Sequence, residues 1–191
     1  MRPMLISAPA IEPVSLAEAK NWLREDGDDE DQLIQALIVS ARMTLEAYTR
    51  RFFVTQTWRI ILDAWPEALH ARSAIDIPLA PFQSIAAIRV YDANGTPQTL
   101  ATASYRAPAA MDGGRVIFNA VPPIPGRSAD AIEIDAVVGY GALANQTPEP
   151  LRRAILMLVA HWRERRGDDP GDAPPRSVMQ LIAPFRRERL T

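Results

Sequence analysis

The sequence predicts an α+β fold: a helical bundle of long amphipathic helices, an antiparallel β region inserted into it, and a C-terminal extension. Three observations predict it. Apolar residues recur at helical spacing over residues 15–50 and again after Pro150, β-branched and aromatic runs broken by turn formers fill the stretch between, and a Gly/Pro/Asp-rich stretch sets off the last residues. The resulting division is residues 1–54 for the first part of the bundle, 55–141 for the β-rich insertion, 142–167 for its last helix, and 168–191 for a linker and partner-contacting segment.

Ser15 and Glu18 stand at capping-box spacing, so a first helix starts there and runs to about Arg24. Beyond Gly27 comes the acidic run Asp28, Asp29, Glu30, Asp31, then Leu33, Ile34, Leu37, Ile38, Ala41, Leu45 and Tyr48, a long amphipathic helix ending near Arg50. Thr57 to Leu62 and Ile85 to Tyr91 read as strands. Asn94-Gly95 marks a hairpin turn, because both residues tolerate positive φ, and Gly113-Gly114 marks another before Arg115 to Phe118. After the loop of Pro122, Pro123, Pro125 and Gly126, residues 131–137 alternate as a half-buried strand, with Glu133 and Asp135 expected to face water. Pro148 and Pro150 open a last long helix with the apolar stripe Leu151, Ile155, Leu158, Val159 and Trp162, and Arg152, Arg153, Arg163 and Glu164 opposite. It stops near Gly167, where the stretch to Pro175 reads as a linker.

Composition narrows the function. Twenty-one basic and 23 acidic residues leave a formal charge of -2, so no overall field attracts nucleic acid or anionic lipid. There is no cysteine among the 191 residues, which excludes disulfides and thiolate chemistry and fits a reducing cytoplasm or a particle assembled there. No apolar run reaches the roughly 20 residues that span a bilayer, and Met1 to Pro13 lacks a signal pattern, so the chain is expected to be soluble and untargeted.

Catalytic motifs are missing from the pattern. His70 and His161 stand far apart without an HExxH-like pair, and no G-x-S-x-G turn, phosphate loop or dinucleotide fingerprint occurs. The acidic run Asp28 to Asp31 lacks the spacing of a calcium loop and suits a helix start, where the dipole favours carboxylates. Val138-Gly139-Tyr140-Gly141 reads as a turn leaving a strand. Trp22 and Trp162 fall on apolar helix faces and read as core, while the basic clusters Arg50-Arg51, Arg163, Arg165-Arg166 and Arg186-Arg187 with Arg189 suit helix C-termini. Scattered carboxylates such as Asp63, Asp76 and Asp92 show no catalytic spacing. No enzyme activity, cofactor or metal is expected.

The terminal element carries more information. Val178, Leu181, Ile182 and Phe185 stand at i, i+3, i+4 and i+7, the spacing of a helix laid into a groove, and Arg186 and Arg187 follow. Two readings stay open. The segment folds back on its own core, or it reaches a neighbouring subunit or partner.

The same residues carry a family resemblance over nearly the whole chain. Pro13 to Lys20, Asp28 to Asp31 with Leu33-Ile34 and Leu37-Ile38, Glu46 to Arg51, Thr55 to Trp58, Ile77 to Ile85, Val138 to Gly141, Pro150 to Leu158 with His161-Trp162, and Leu181 to Arg186 resemble blocks of the phage head-tail connector (adaptor) family. Similar proteins occur in tailed phages, prophages and gene transfer agents. The resemblance implies a non-enzymatic subunit without cofactor, built as a helical bundle carrying a β insertion. It further implies a homo-oligomeric ring, a dodecamer matching the portal protein above it, with a tail-side connector or stopper protein below. DNA would pass through the channel without sequence-specific binding, and no membrane is involved. In such relatives a C-terminal segment contacts the portal, which favours the outward reading of Val178, Leu181, Ile182, Phe185, Arg186 and Arg187. The alternative from another class is a small monomeric regulatory or peptide-binding module with the β region as recognition surface.

Overall fold

The computed structural model describes residues 1–67, 69, 73–165 and 174–187. It is mixed α+β and divides into a β unit, Met1–Pro9 with Thr55–Gly139, and a helical unit, Ala10–Val54 with Tyr140–Thr191.

The helical unit holds four helices among its described residues: α1 (Leu16–Leu23), α2 (Asp31–Thr49), α3 (Glu149–Glu164) and α4 (Arg176–Ile182). Only α2 and α3 are long, at 19 and 16 residues, so the expected bundle of long helices is instead a long pair with two short helices packed on it. The capping box forms as read: the Glu18 amide donates to Ser15 Oγ at 3.2 Å and the Ser15 amide donates to Glu18 Oε2 at 2.8 Å. α1 and α2 both end on a left-handed arginine, Arg24 and Arg50, each with φ 55°. Ile34, Ile38, Ala41 and Leu45 of α2 bury against Leu151, Ala154, Ile155, Leu158 and Val159 of α3. Each fully buried leucine or isoleucine contributes about 1.5–3 kcal/mol, so this seam is the main source of the unit's stability.

Ion pairs pin the helices at both ends. Arg42 of α2 is turned inward, its side chain only 7% exposed, and binds Glu12 at 2.7 Å and Glu46 at 2.8 Å. Arg163 joins the end of α3 to Glu30 at 2.7 Å and to Glu25, and Arg152 joins α3 to Glu18 and donates to the Pro13 carbonyl at 2.9 Å. Lys20 of α1 reaches Asp28 at 2.6 Å and Asp31 at 2.8 Å. The acidic run therefore acts as a clamp between α1, α2 and α3. Glu30, at the N-cap position of α2, makes no side-chain cap hydrogen bond.

The β unit contains eight strands among its described residues: β1 (Arg2–Ser7), β2 (Gln56–Leu62), β3 (Ala74–Ile77), β4 (Phe82–Tyr91), β5 (Pro97–Thr99), β6 (Tyr105–Arg106), β7 (Gly114–Phe118) and β8 (Ile132–Val138). Their pairings are antiparallel. They form a five-stranded sheet in the order β1-β2-β8-β4-β5 and a three-stranded sheet in the order β3-β7-β6. The Asn94-Gly95 turn joins β4 to β5, with Asp92 Oδ1 accepting from the Asn94 and Thr96 amides at 2.9 and 2.8 Å and Gly95 at φ 78°. Gly139, at φ 119°, turns the chain out of β8 as expected. Gly114 is needed for a different reason, since a Cβ there would lie 2.3 Å from the buried ring of Phe82.

One face of the large sheet is apolar, with Ile60, Leu62, Ile88, Val90, Ile132 and Ile134 all buried. The opposite face carries Arg59, Arg89, Glu133 and Asp135 across β2, β4 and β8. The expectation that Glu133 and Asp135 face water is corrected here, because two arginines from neighbouring strands lie over them and leave their side chains only 13% and 7% exposed. Asp135 accepts from Arg59 Nε at 2.7 Å and from Arg89 Nη1 at 2.7 Å. Burial alone would raise its pKa, but hydrogen bonds from Arg59 and Arg89 outweigh that and hold the carboxyl below its ordinary value. A depressed carboxylate contributes stability above its unfolded pKa of about 4 and loses it as the pH falls through the folded value. Asp135→Asn should therefore cost about 2 kcal/mol at pH 7 and should flatten the acid side of the stability curve, measured by denaturant unfolding between pH 7 and 3; parallel curves for the two proteins would refute the assignment.

Candidate interaction surfaces

Among the described residues no group of histidines, carboxylates or cysteines could hold a metal ion. The scattered carboxylates have separate structural tasks: Asp63 accepts from the Asp130 amide at 2.9 Å, Asp76 pairs with Arg115 at 2.8 Å, and Asp92 holds the β4–β5 turn. His70 lies outside the described residues, and His161 is on α3 with its carbonyl accepting from the Arg165 amide. What the chain does offer is exposed apolar surface.

The first surface, the C-terminal segment, turns its apolar side chains inward instead. Val178 and Ile182 are fully buried in the core of their own helical unit, and Leu181 and Phe185 pack against it. The fold-back reading thus describes these side chains within the subunit. Arg51 Nε donates to the Phe185 carbonyl at 2.7 Å, and the Arg187 amide donates to the Thr49 carbonyl at 3.0 Å, so residues 185–187 satisfy a carbonyl left open at the C-terminus of α2. Arg186 is exposed. Of the expected linker, Pro174 and Pro175 are described, whereas its earlier residues, together with Arg166 and Arg189, lie outside the described residues.

The second surface is β1, whose residues carry no alternating strand pattern. It is an edge strand whose six residues are all exposed, including the consecutive Met4, Leu5 and Ile6 at 45% each. A third is the proline loop, where Trp65 Nε1 donates to the Pro123 carbonyl at 2.8 Å and the Gly126 amide to the Tyr91 carbonyl at 2.8 Å, while Val121 and Ile124 stand out in solvent.

Two surfaces belong to the helices. Trp22, expected in the core, is exposed on α1 with the Arg153 guanidinium 5.9 Å from its ring centre, because the short α1 turns only Ala19 fully inward; Trp162 does pack on the core. On α2 the usual arrangement is inverted. Its three charged residues are all paired, with Arg42 inside, whereas Leu33, Val39 and Met43 are exposed. Sequence periodicity finds the inner stripe of α2, but the outer residues are recognisable only once the charges are seen to be taken up elsewhere.

Comparison with known proteins agrees with the resemblance read from the sequence. The model of the family described as phage gp6-like head-tail connector protein matches residues 13–96. Among solved structures, a chain of the "Neck of empty GTA particle computed with C6 symmetry" is 26% identical, with a TM-score of 0.82, over 100% of this chain and 98% of that one. A chain of the "Virion of native gene transfer agent (GTA) particle" gives the same values. A chain of the "Neck of native GTA particle computed with C12 symmetry" is 26% identical, with a TM-score of 0.75, over 98% of this chain and 97% of that one. No curated protein sequence matches.

The buried position of the C-terminal helix makes a direct prediction. Ile182→Ala should destabilise the protein by about 2–4 kcal/mol, and deleting residues 177–191 should lower the melting temperature sharply in the isolated protein, both read by thermal unfolding. An unchanged melting temperature would show that the segment contributes nothing to its own subunit.

Proposed function

We infer that this chain is a head-tail connector of the phage gp6-like family, a structural subunit at the head-tail joint of a phage-like particle. The observation that carries the reading is similarity over essentially the whole chain to subunits of gene transfer agent necks, together with the connector family match over residues 13–96. Nothing in that role requires bond chemistry, and the chain is read as non-enzymatic.

The finer reading is a closed ring of twelve subunits. The neighbours come from necks with sixfold and twelvefold symmetry, which supports a ring without fixing the number here. A closed ring uses heterologous contacts, one face of a subunit meeting an unlike face of the next. The several unlike apolar surfaces, β1, the Val121/Ile124 loop, Trp22 and α2, suit such an arrangement. The portal protein above, a tail-side connector or stopper below, and DNA passing through the channel are the partners proposed. The formal charge of -2 gives DNA little reason to adhere. Within the C-terminal segment, Arg186 supplies the exposed contact proposed for the portal, while Val178 and Ile182 hold the helix that presents it. The divisions 1–54, 55–141, 142–167 and 168–191 remain the proposed working parts of the subunit, with β1 added to the sheet.

The test is incorporation. Purified protein mixed with particles that carry a portal but lack this subunit should join them as a multimer, read by the mass and subunit composition of the repurified particles. A protein that stays monomeric and never joins such particles would point instead to a binding module.

A further inference from the structure

The outward half of α2 is an apolar helix surface left open to water. With about 100° between successive residues, Leu33, Ala36, Val39, Ser40, Met43 and Ala47 share one side of the helix with the uncharged Gln32, opposite the buried Ile34, Ile38, Ala41 and Leu45. A helix facing solvent ordinarily places its charges on that side. Here no charged residue lies there: Asp31 is bound to Lys20, and Arg42 and Glu46 are bound to each other, with Arg42 buried. Leu33, Val39 and Met43 are 38%, 37% and 59% exposed, and the spacing 33, 36, 40, 43, 47 alternates three and four residues. That alternation is the seam along which a second helix packs, and Ala36, Ser40 and Ala47 leave room for close approach.

We propose that this face is covered by a second copy of the chain, so that the outer face of α2 is one half of the contact between adjacent subunits. The proposal rests on the ring reading given above and names the surface that closes the ring. The absence of charge argues for this occupant. A nucleic acid would call for a basic face, and steering onto a charged protein surface would call for complementary charge; neither is present on α2. Similarity to chains of necks computed with sixfold and twelvefold symmetry supplies the remaining argument, since each subunit of such a ring meets its neighbours through two unlike faces.

The chain has no cysteine, so Met43→Cys creates a single thiol on this face that accepts a benzophenone photo-cross-linker. The labelled protein is mixed with portal-bearing particles lacking this subunit and illuminated. The expected product is a cross-link between two copies, at twice the subunit's 21.1 kDa. A cross-link to the portal or to a tail protein, or no cross-link in particles that have incorporated the labelled subunit, overturns the proposal while leaving the ring reading in place. Failure of the unlabelled wild-type protein to join the particles overturns both. The double variant Val39→Asp with Met43→Glu gives a second reading that needs no label: unchanged helical circular dichroism and melting with at least a tenfold loss of incorporation is expected, and incorporation equal to wild type overturns the proposal.

Discussion

The helical unit depends on one contact, the burial of α2 against α3, two helices separated by about a hundred residues of chain. Ile34, Ile38, Ala41 and Leu45 meet Leu151, Ala154, Ile155, Leu158 and Val159, and that dry seam sets the conditions for everything around it. Arg42 can point inward only because Glu12 and Glu46 meet its guanidinium as it leaves water. Glu46 then also accepts from the Phe53 amide at 2.7 Å, fixing the path of the chain out of α2. With its charges used in this way, α2 has none left for solvent. Interior packing and an uncharged exterior are thus two results of one placement of residues.

The β unit solves a related problem on its polar face. An antiparallel sheet with one apolar side must hydrate the other or neutralise it. Here the central strand β8 carries Glu133 and Asp135, and arginines from the strands on either side close over them. Cross-strand ion pairs of this kind tie three strands together on the face that the apolar core does not reach.

Much of the fold can be read in the sequence, and what cannot be read has a common cause. Helices announce themselves locally, through Ser15 with Glu18, through the stripe from Ile34 to Leu45, and through the prolines before Leu151. Asn94-Gly95 and Gly139 announce turns because positive φ is a local demand. β1 gives no such signal: Met4, Leu5 and Ile6 do not alternate with polar residues, and the strand exists only through pairing with β2 more than fifty residues later. Asp135 was legible as an outward residue, but its partners Arg59 and Arg89 are 76 and 46 positions away. The 178–185 spacing showed that the terminal helix has an apolar side without showing which core receives it. Candidate surfaces are harder still, since exposure of Trp22 or Met43 is decided by what the rest of the chain leaves uncovered. The family resemblance supplied the function, which no single residue pattern here expresses.

Connector function on this physical basis is carried by exposed apolar surfaces on two well-packed units. The most direct measurement is electron cryo-microscopy of the intact particle, with the subunit located and its copies counted. A closed ring of this chain at the junction of head and tail is the expected result. Density for the chain elsewhere in the particle, or single copies with α2 open to solvent, would contradict it.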